Sequence, residues 1–149
     1  MKAVVQRVRN ASVTVDEKVT GSVAWGLLVY LGVAREDSEK DAAWMAEKVS
    51  NLRIFEDSSG KMNLSLKDME SSCSEKGGVL AVSQFTLLAD ASKGRRPYYG
   101  DAADPEKANA LYKCFIEKIR EQGLVCETGV FQAHMDVSYT NVGPVTIIL

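Results

Sequence analysis

Apolar and polar residues alternate from the start of the chain, first in Val4-Val5-Gln6-Arg7-Val8 and again in Ala11-Ser12-Val13-Thr14-Val15. A period of two puts successive side chains on opposite faces of an extended backbone, so both stretches predict β-strand. Asp16-Glu17-Lys18 reads as a turn, and the unbroken apolar run Leu27-Leu28-Val29-Tyr30-Leu31 as a buried strand. The opening third of the chain is therefore expected to form a β meander.

The period then changes. Met45, Val49 and Leu52 recur at helical spacing, and Ser38 with Asp41 three residues on supplies a capping signature ahead of them. The resulting helix is expected to cover one sheet face. Asp57-Ser58-Ser59-Gly60 marks a turn, Met62-Asn63-Leu64-Ser65-Leu66 a short strand, residues 67–78 a polar loop, and Val79-Leu80-Ala81-Val82 a further strand. Residues 89–103 show no apolar period. Asp104-Pro105-Glu106 then opens a second helix as N-cap, first-position proline and acidic first turn. That helix runs to Gly123, with Ala108, Leu111, Phe115 and Ile119 on its inner face. Three strands are expected near residues 124–128, 135–140 and 145–149. Strands outnumber helices and come in hairpin-like sets, which predicts an α+β fold: a mostly antiparallel or mixed sheet, or a barrel-like sheet, with two covering helices.

The 149 residues amount to about one domain, and no repeat, low-complexity tract or linker divides residues 1–149. At 46% hydrophobic and 26% charged the composition is that of a globular protein, and no apolar run approaches the ~20 residues that cross a bilayer. The first residues lack the apolar core of a secretory signal, so a cytoplasmic protein without membrane association is expected. A formal net charge of -2 argues against a nonspecific nucleic-acid coat protein but leaves room for a local basic patch. Cys73, Cys114 and Cys126 are odd in number and carry no C-x-x-C spacing, so they read as small packed hydrophobes rather than a disulfide framework or zinc knuckle.

The inventory excludes most conventional catalytic sets. His134 is the sole histidine, which rules out a two-histidine metal site, and its context reads as an incidental exposed residue. The acidic residues are scattered, and neither G-x-x-x-x-G-K-[ST] nor G-x-G-x-x-G occurs. No metal and no cofactor is expected. Two strand-end motifs remain, Ser83-Gln84-Phe85-Thr86-Leu87 and Asn141-Val142-Gly143-Pro144-Val145-Thr146, where backbone N–H groups and hydroxyls can project from a sheet toward a ligand. The Thr86 hydroxyl reads either as a nucleophile or donor, or as a strand-end group satisfying backbone. The Gly143-Pro144 bond is by default trans. Lys93-Gly94-Arg95-Arg96 beside Tyr98-Tyr99 reads as a solvated loop, or as a place to hold phosphate and stack a base.

Together with Ala3-Val4-Val5-Gln6-Arg7-Val8, Gly94-Arg95-Arg96-Pro97 and Thr128-Gly129-Val130-Phe131 followed by Met135, these two motifs resemble the D-aminoacyl-tRNA deacylase family over essentially the whole chain. The resemblance implies a homodimer that hydrolyses the ester of D-aminoacyl-tRNA, a proofreading activity. It implies that Ser83, Gln84, Phe85 and Thr86 form the pocket floor, and that a cis Gly143-Pro144 bond reaches into the partner subunit's pocket as a chiral gate. Arg7 would brace that loop, Phe131 and Met135 would line the pocket for the terminal adenosine, and Arg95 and Arg96 would contact the tRNA 3′ end. Glycyl-tRNA is an implied second substrate, since glycine has no side chain to reject. The chain departs from the usual family pattern in three places: Gln132 in place of glycine, Val142 in place of an acidic residue, and the pair Tyr98-Tyr99 in place of serine-phenylalanine. A paralogous deacylase of relaxed chirality and a noncatalytic tRNA- or DNA-associated binding module are the competing readings.

Overall fold

The computed structural model describes residues 1–70 and 77–149. Cys73 and half of the expected polar loop, residues 71–76, therefore lie outside the described residues. β1 (Lys2–Val15) and β2 (Lys18–Gly32) form one long antiparallel hairpin. Asp16 and Glu17 turn it with φ of 48° and 63°, the primed geometry that matches strand twist, so Lys18 already belongs to β2. The two opening stretches are thus a single strand, running through Asn10 at φ 51°.

β5 (Gly78–Ser83) adds parallel to β2, and β6 (Val125–Thr128) parallel to β5. β7 (Asp136–Ile148) lies antiparallel on β1, merging the two strands expected after residue 135 into one. The order is β6-β5-β2-β1-β7, a mixed sheet that is open at β6 and β7, so the barrel-like alternative does not occur. The short strands β3 (Phe55–Glu56) and β4 (Met62–Leu64) pair separately.

Two long helices, α1 (Glu39–Ser50) and α3 (Pro105–Glu121), pack against each other over one sheet face. Their start signals act as expected: Ser38 N–H donates to Asp41 at 2.8 Å, and the Lys107 N–H donates to the Asp104 carboxylate at 2.9 Å. Val5, Leu27, Val29, Leu31, Val79 and Ala81 from the sheet meet Met45, Val49, Phe115 and Ile119 in the main core. Leu52 reaches this core from beyond the end of α1, since Asn51 closes the helix. Val8, Val13, Leu28, Leu80 and Val82 form a second cluster on the other face. The central strands are therefore buried on both sides, which is why Leu27 to Leu31 reads as a continuous apolar run.

A third helix, α2 (Leu66–Glu70), replaces the start of the expected polar loop. Its signal was legible: Ser65 N–H donates to Asp68 at 2.8 Å, repeating the Ser38–Asp41 pattern, while Leu66 is fully buried.

Candidate active site

Three parallel strands point their carboxyl ends the same way, the place where open sheets containing such strands hold ligands. β5 is buried along its length up to Ser83, which pairs with Leu31. Gln84 N–H still bonds the Leu31 carbonyl at 2.8 Å, and the chain then leaves the sheet in a 3-10 turn, Phe85–Leu88. Buried Leu88 fastens this turn against β2 at Gly32. A Cβ on Gly32 would run into the Leu88 side chain and lie 3.0 Å from the Gln84 carbonyl oxygen. Phe85 and Thr86 open the turn, so their N–H groups are the ones with no carbonyl partner inside it.

A cavity of about 490 Å³ opens beside this turn. Val33 bounds it from the end of β2, Ser83, Gln84 and Phe85 from the end of β5, Ala103, Pro105 and Ala108 from the start of α3, and Phe131, Gln132, Ala133 and Met135 from the segment before β7. The α3 wall is hung on β2: Ala103 N–H donates to the Val33 carbonyl at 3.0 Å and Arg35 N–H to the Asp101 carbonyl at 2.8 Å. Behind Phe131 stands buried Tyr112, ring centroids 6.2 Å apart. The Tyr112 hydroxyl donates to the Ala81 carbonyl at 2.8 Å, and burial raises its pKa, keeping it a neutral donor.

Five residues singled out from sequence line this cavity: Ser83, Gln84, Phe85, Phe131 and Met135. Thr86 sits beside Phe85 on the turn, exposed and off the lining. The α3 residues and Val33 were not foreseen as a wall, because only tertiary packing brings them there. Gln132 carried a signal: its φ of 64° is the left-handed conformation that favours the glycine usual at that position. His134 is exposed and off the lining. Among the described residues no group of three or more His, Cys, Asp or Glu is placed to hold a metal.

Gly143, Pro144 and Arg7 belong to a different place. Gln6 pairs with Thr146 and Val8 with Asn141, so four residues of β7, 142–145, stand opposite Arg7 alone and form a wide bulge on the sheet edge. Arg7, 8% exposed, donates from Nε to the Val142 carbonyl at 3.2 Å and from Nη1 to the Ile54 carbonyl at 2.8 Å. Glu56 lies 3.6 Å from its Nη2. The Gly143–Pro144 bond is cis, against the X-Pro default and as the resemblance implies. Gly143 has φ 117°, and a Cβ on it would sit 2.9 Å from Arg7 Nη2 and 2.8 Å from Val145 Cγ2. At the neck of the bulge, the Thr146 hydroxyl accepts from Gln6 Nε2 and from Asn141 Nδ2, both at 3.1 Å. Gly143 and Pro144 are exposed and do not line the cavity of their own chain.

Arg95 and Arg96 are exposed on the loop that follows the turn. Asp90 opens this loop, its carboxyl held below the usual carboxylate range chiefly by the Ser92 backbone N–H.

The chain is an α+β domain whose mostly apolar pocket lies at the carboxyl ends of parallel strands, bordered by the end of β5 and the first residue of a tight turn. The family described as D-Tyr-tRNA(Tyr) deacylase matches residues 4–149. Curated D-aminoacyl-tRNA deacylases of Thermotoga petrophila and Kosmotoga olearia are 55% and 58% identical to this chain, each alignment covering 100% of it and 96% of the relative. A solved structure described as c-Myc DNA Unwinding Element Binding Protein is 41% identical, with a TM-score of 0.89 over 100% of this chain and 97% of that one. A second, described as a probable eukaryotic D-amino acid tRNA deacylase, is 16% identical with a TM-score of 0.83 over 99% of this chain and 97% of that one, and shares the fold. The chain belongs to the D-Tyr-tRNA(Tyr) deacylase family.

Proposed function

We propose that this chain carries out its family's reaction through backbone groups at the end of β5, with selectivity supplied from the β7 bulge of a second copy. As a member of that family it is a D-aminoacyl-tRNA deacylase, a hydrolase that cleaves the ester between a D-amino acid and the terminal ribose of tRNA. The observation that carries the chemistry is the placement of Phe85 and Thr86 as the first donors of a turn at the cavity's edge.

An aminoacyl ester is already activated, so its hydrolysis needs a positioned water and a stabilised oxyanion more than a strong base. Water adds to the carbonyl carbon, the carbonyl oxygen takes up negative charge, and the bond to the ribose oxygen breaks as that oxygen gains a proton. The Phe85 and Thr86 N–H groups face the developing oxyanion; one such donor is worth about 3–4 kcal/mol. The Thr86 hydroxyl orients substrate, and the ribose 2′-hydroxyl assists the attack. Phe131 and Met135 hold the adenosine against the apolar wall, and Arg95 and Arg96 contact the 3′ end of the tRNA.

Gly143 and Pro144 act as the gate. Both are exposed on an edge strand and off their own chain's cavity, which supports insertion into the pocket of a partner subunit in a homodimer. Their carbonyls would fill the volume an L side chain needs, so selection works by rejection, and glycyl-tRNA enters with the D-esters. One tRNA charged separately with D-tyrosine and L-tyrosine tests this. Rapid loss of the D-ester alone is expected, and loss of both at similar rates would sink the gate.

The neighbour described as a DNA-unwinding-element-binding protein keeps a second reading in play, that of a nucleic-acid binding module. Salt-sensitive tRNA or DNA binding with no ester cleavage would favour it.

A further inference from the structure

Beside the cavity mouth three aromatic rings face solvent: Phe85 is 56% exposed, Tyr98 68% and Tyr99 37%. Exposed aromatic clusters of this kind mark surfaces that meet a ligand or partner. They are not loose. Phe85 and Tyr99 lie with centroids 5.1 Å apart and planes tilted by 60°. Phe85 also lines the cavity, and the Tyr99 carbonyl accepts from Ala102 N–H at 3.1 Å, next to the wall residue Ala103. Tyr98 is fixed through its backbone, which exchanges two hydrogen bonds with Asp90 at 2.8 and 2.9 Å. Its ring lies over Gly100, where a Cβ would overlap it.

The same Asp90–Tyr98 bridge closes the loop of residues 91–97, which carries Lys93, Arg95 and Arg96 and no acidic residue. All three cations are exposed. The Phe85–Tyr99 pair thus forms an aromatic ledge adjoining the loop that carries the positive charge, in a chain whose net charge is -2. Stacking faces next to cations are the means by which proteins hold unpaired nucleotides. The cavity, at about 490 Å³, has the size that houses one drug-sized molecule, which suits one aminoacylated nucleoside and leaves the preceding nucleotide outside.

We propose that Tyr98, Tyr99 and the outer face of Phe85 form a subsite for the unpaired nucleotide immediately 5′ of the terminal adenosine. Its base stacks on the ledge and its phosphates lie against Arg95 and Arg96. The inference rests on the deacylase reading and extends it beyond the esterified nucleoside. Because stacking accepts any base, the subsite measures the presence of a single-stranded end and not its sequence.

The test compares D-tyrosyl esters of adenosine and of the trinucleotide cytidylyl-cytidylyl-adenosine on the full chain. The trinucleotide ester is expected to show a KM about tenfold lower, an advantage that shrinks as salt is raised. Tyr99→Ala should collapse that ratio and Tyr99→Phe restore it. Tyr98→Ser, at a position held through its backbone, supplies an independent variant and should collapse most of the ratio too. Equal KM values for the two esters on the unaltered protein, or a ratio untouched by both ring deletions, would overturn the subsite while leaving the deacylase reading intact. Ring deletions that change the sedimentation of the protein and spare the ratio would assign the ledge to a contact between copies and overturn it as well. Cleavage of neither ester would remove the deacylase reading itself, and the subsite with it.

Discussion

The segment at residues 83–88 and the bulge at residues 142–145 are the two short stretches of backbone proposed to meet the substrate, and they are held in opposite ways. The turn leaves a strand buried on both faces and is fastened by apolar contact, Leu88 settling on Gly32. The bulge lies on an open sheet edge and is fastened by polar side chains: Arg7 from behind, and Gln6, Asn141 and Thr146 across its neck. Packing density fixes a position because any added volume is felt, whereas side-chain hydrogen bonds fix a direction. In the proposed reading the oxyanion donors therefore rest on apolar packing, and the gate rests on directed hydrogen bonds.

Gly32→Ala carries the largest expected effect. The added methyl collides with Leu88 and crowds Gln84, so the turn must shift away from the sheet. We expect kcat on D-tyrosyl-tRNA to fall about a hundredfold, with roughly 1–3 kcal/mol lost in urea unfolding. Retained kcat would show that apolar fastening of the turn does not set the catalytic geometry.

Arg7→Met attacks the other region. It leaves the Ile54 and Val142 carbonyls without their donor, so unfolding should cost about 2–3 kcal/mol less. Its signature is in selectivity: L-tyrosyl-tRNA cleavage should rise relative to D, while kcat on the D-ester falls less than in Gly32→Ala. An unchanged ratio would separate Arg7 from the gate.

Thr146→Val is the smallest change and the most discriminating. It removes the shared acceptor of Gln6 and Asn141 on an exposed strand, so stability should move by less than about 1 kcal/mol. The D-to-L preference should nevertheless drop several-fold, and Thr146→Ser should recover it. A loss of stability without a loss of preference would mean that the clasp serves the sheet alone.

Much of the architecture was legible in periodicity and end signals. The strand-like runs, Ser38 with Asp41, and Asp104 with Pro105 correspond to the elements they predict. The short helix α2 escaped because Leu64-Ser65-Leu66 alternates like a strand, although Ser65 and Asp68 carry the same cap as α1. The strands expected near residues 135–140 and 145–149 are one strand, β7, which continues past Gly143-Pro144 as a bulge. Of the residues proposed for the site, the cavity gathers Ser83, Gln84, Phe85, Phe131 and Met135. Gly143, Pro144 and Arg7 form a second locus, and Arg95 with Arg96 a third.

Period, caps and composition were enough to place most strand and helix segments, the α+β class and the motifs proposed to carry the chemistry, because each is a local matter. Arg7 behind the bulge was implied by the family resemblance, whereas the open sheet and the pocket wall at the start of α3 came only with the folded structure. These depend on which strand edges meet and on which backbones approach closely enough to exclude a methyl group. Such contacts join residues far apart in the chain, and no local pattern encodes them.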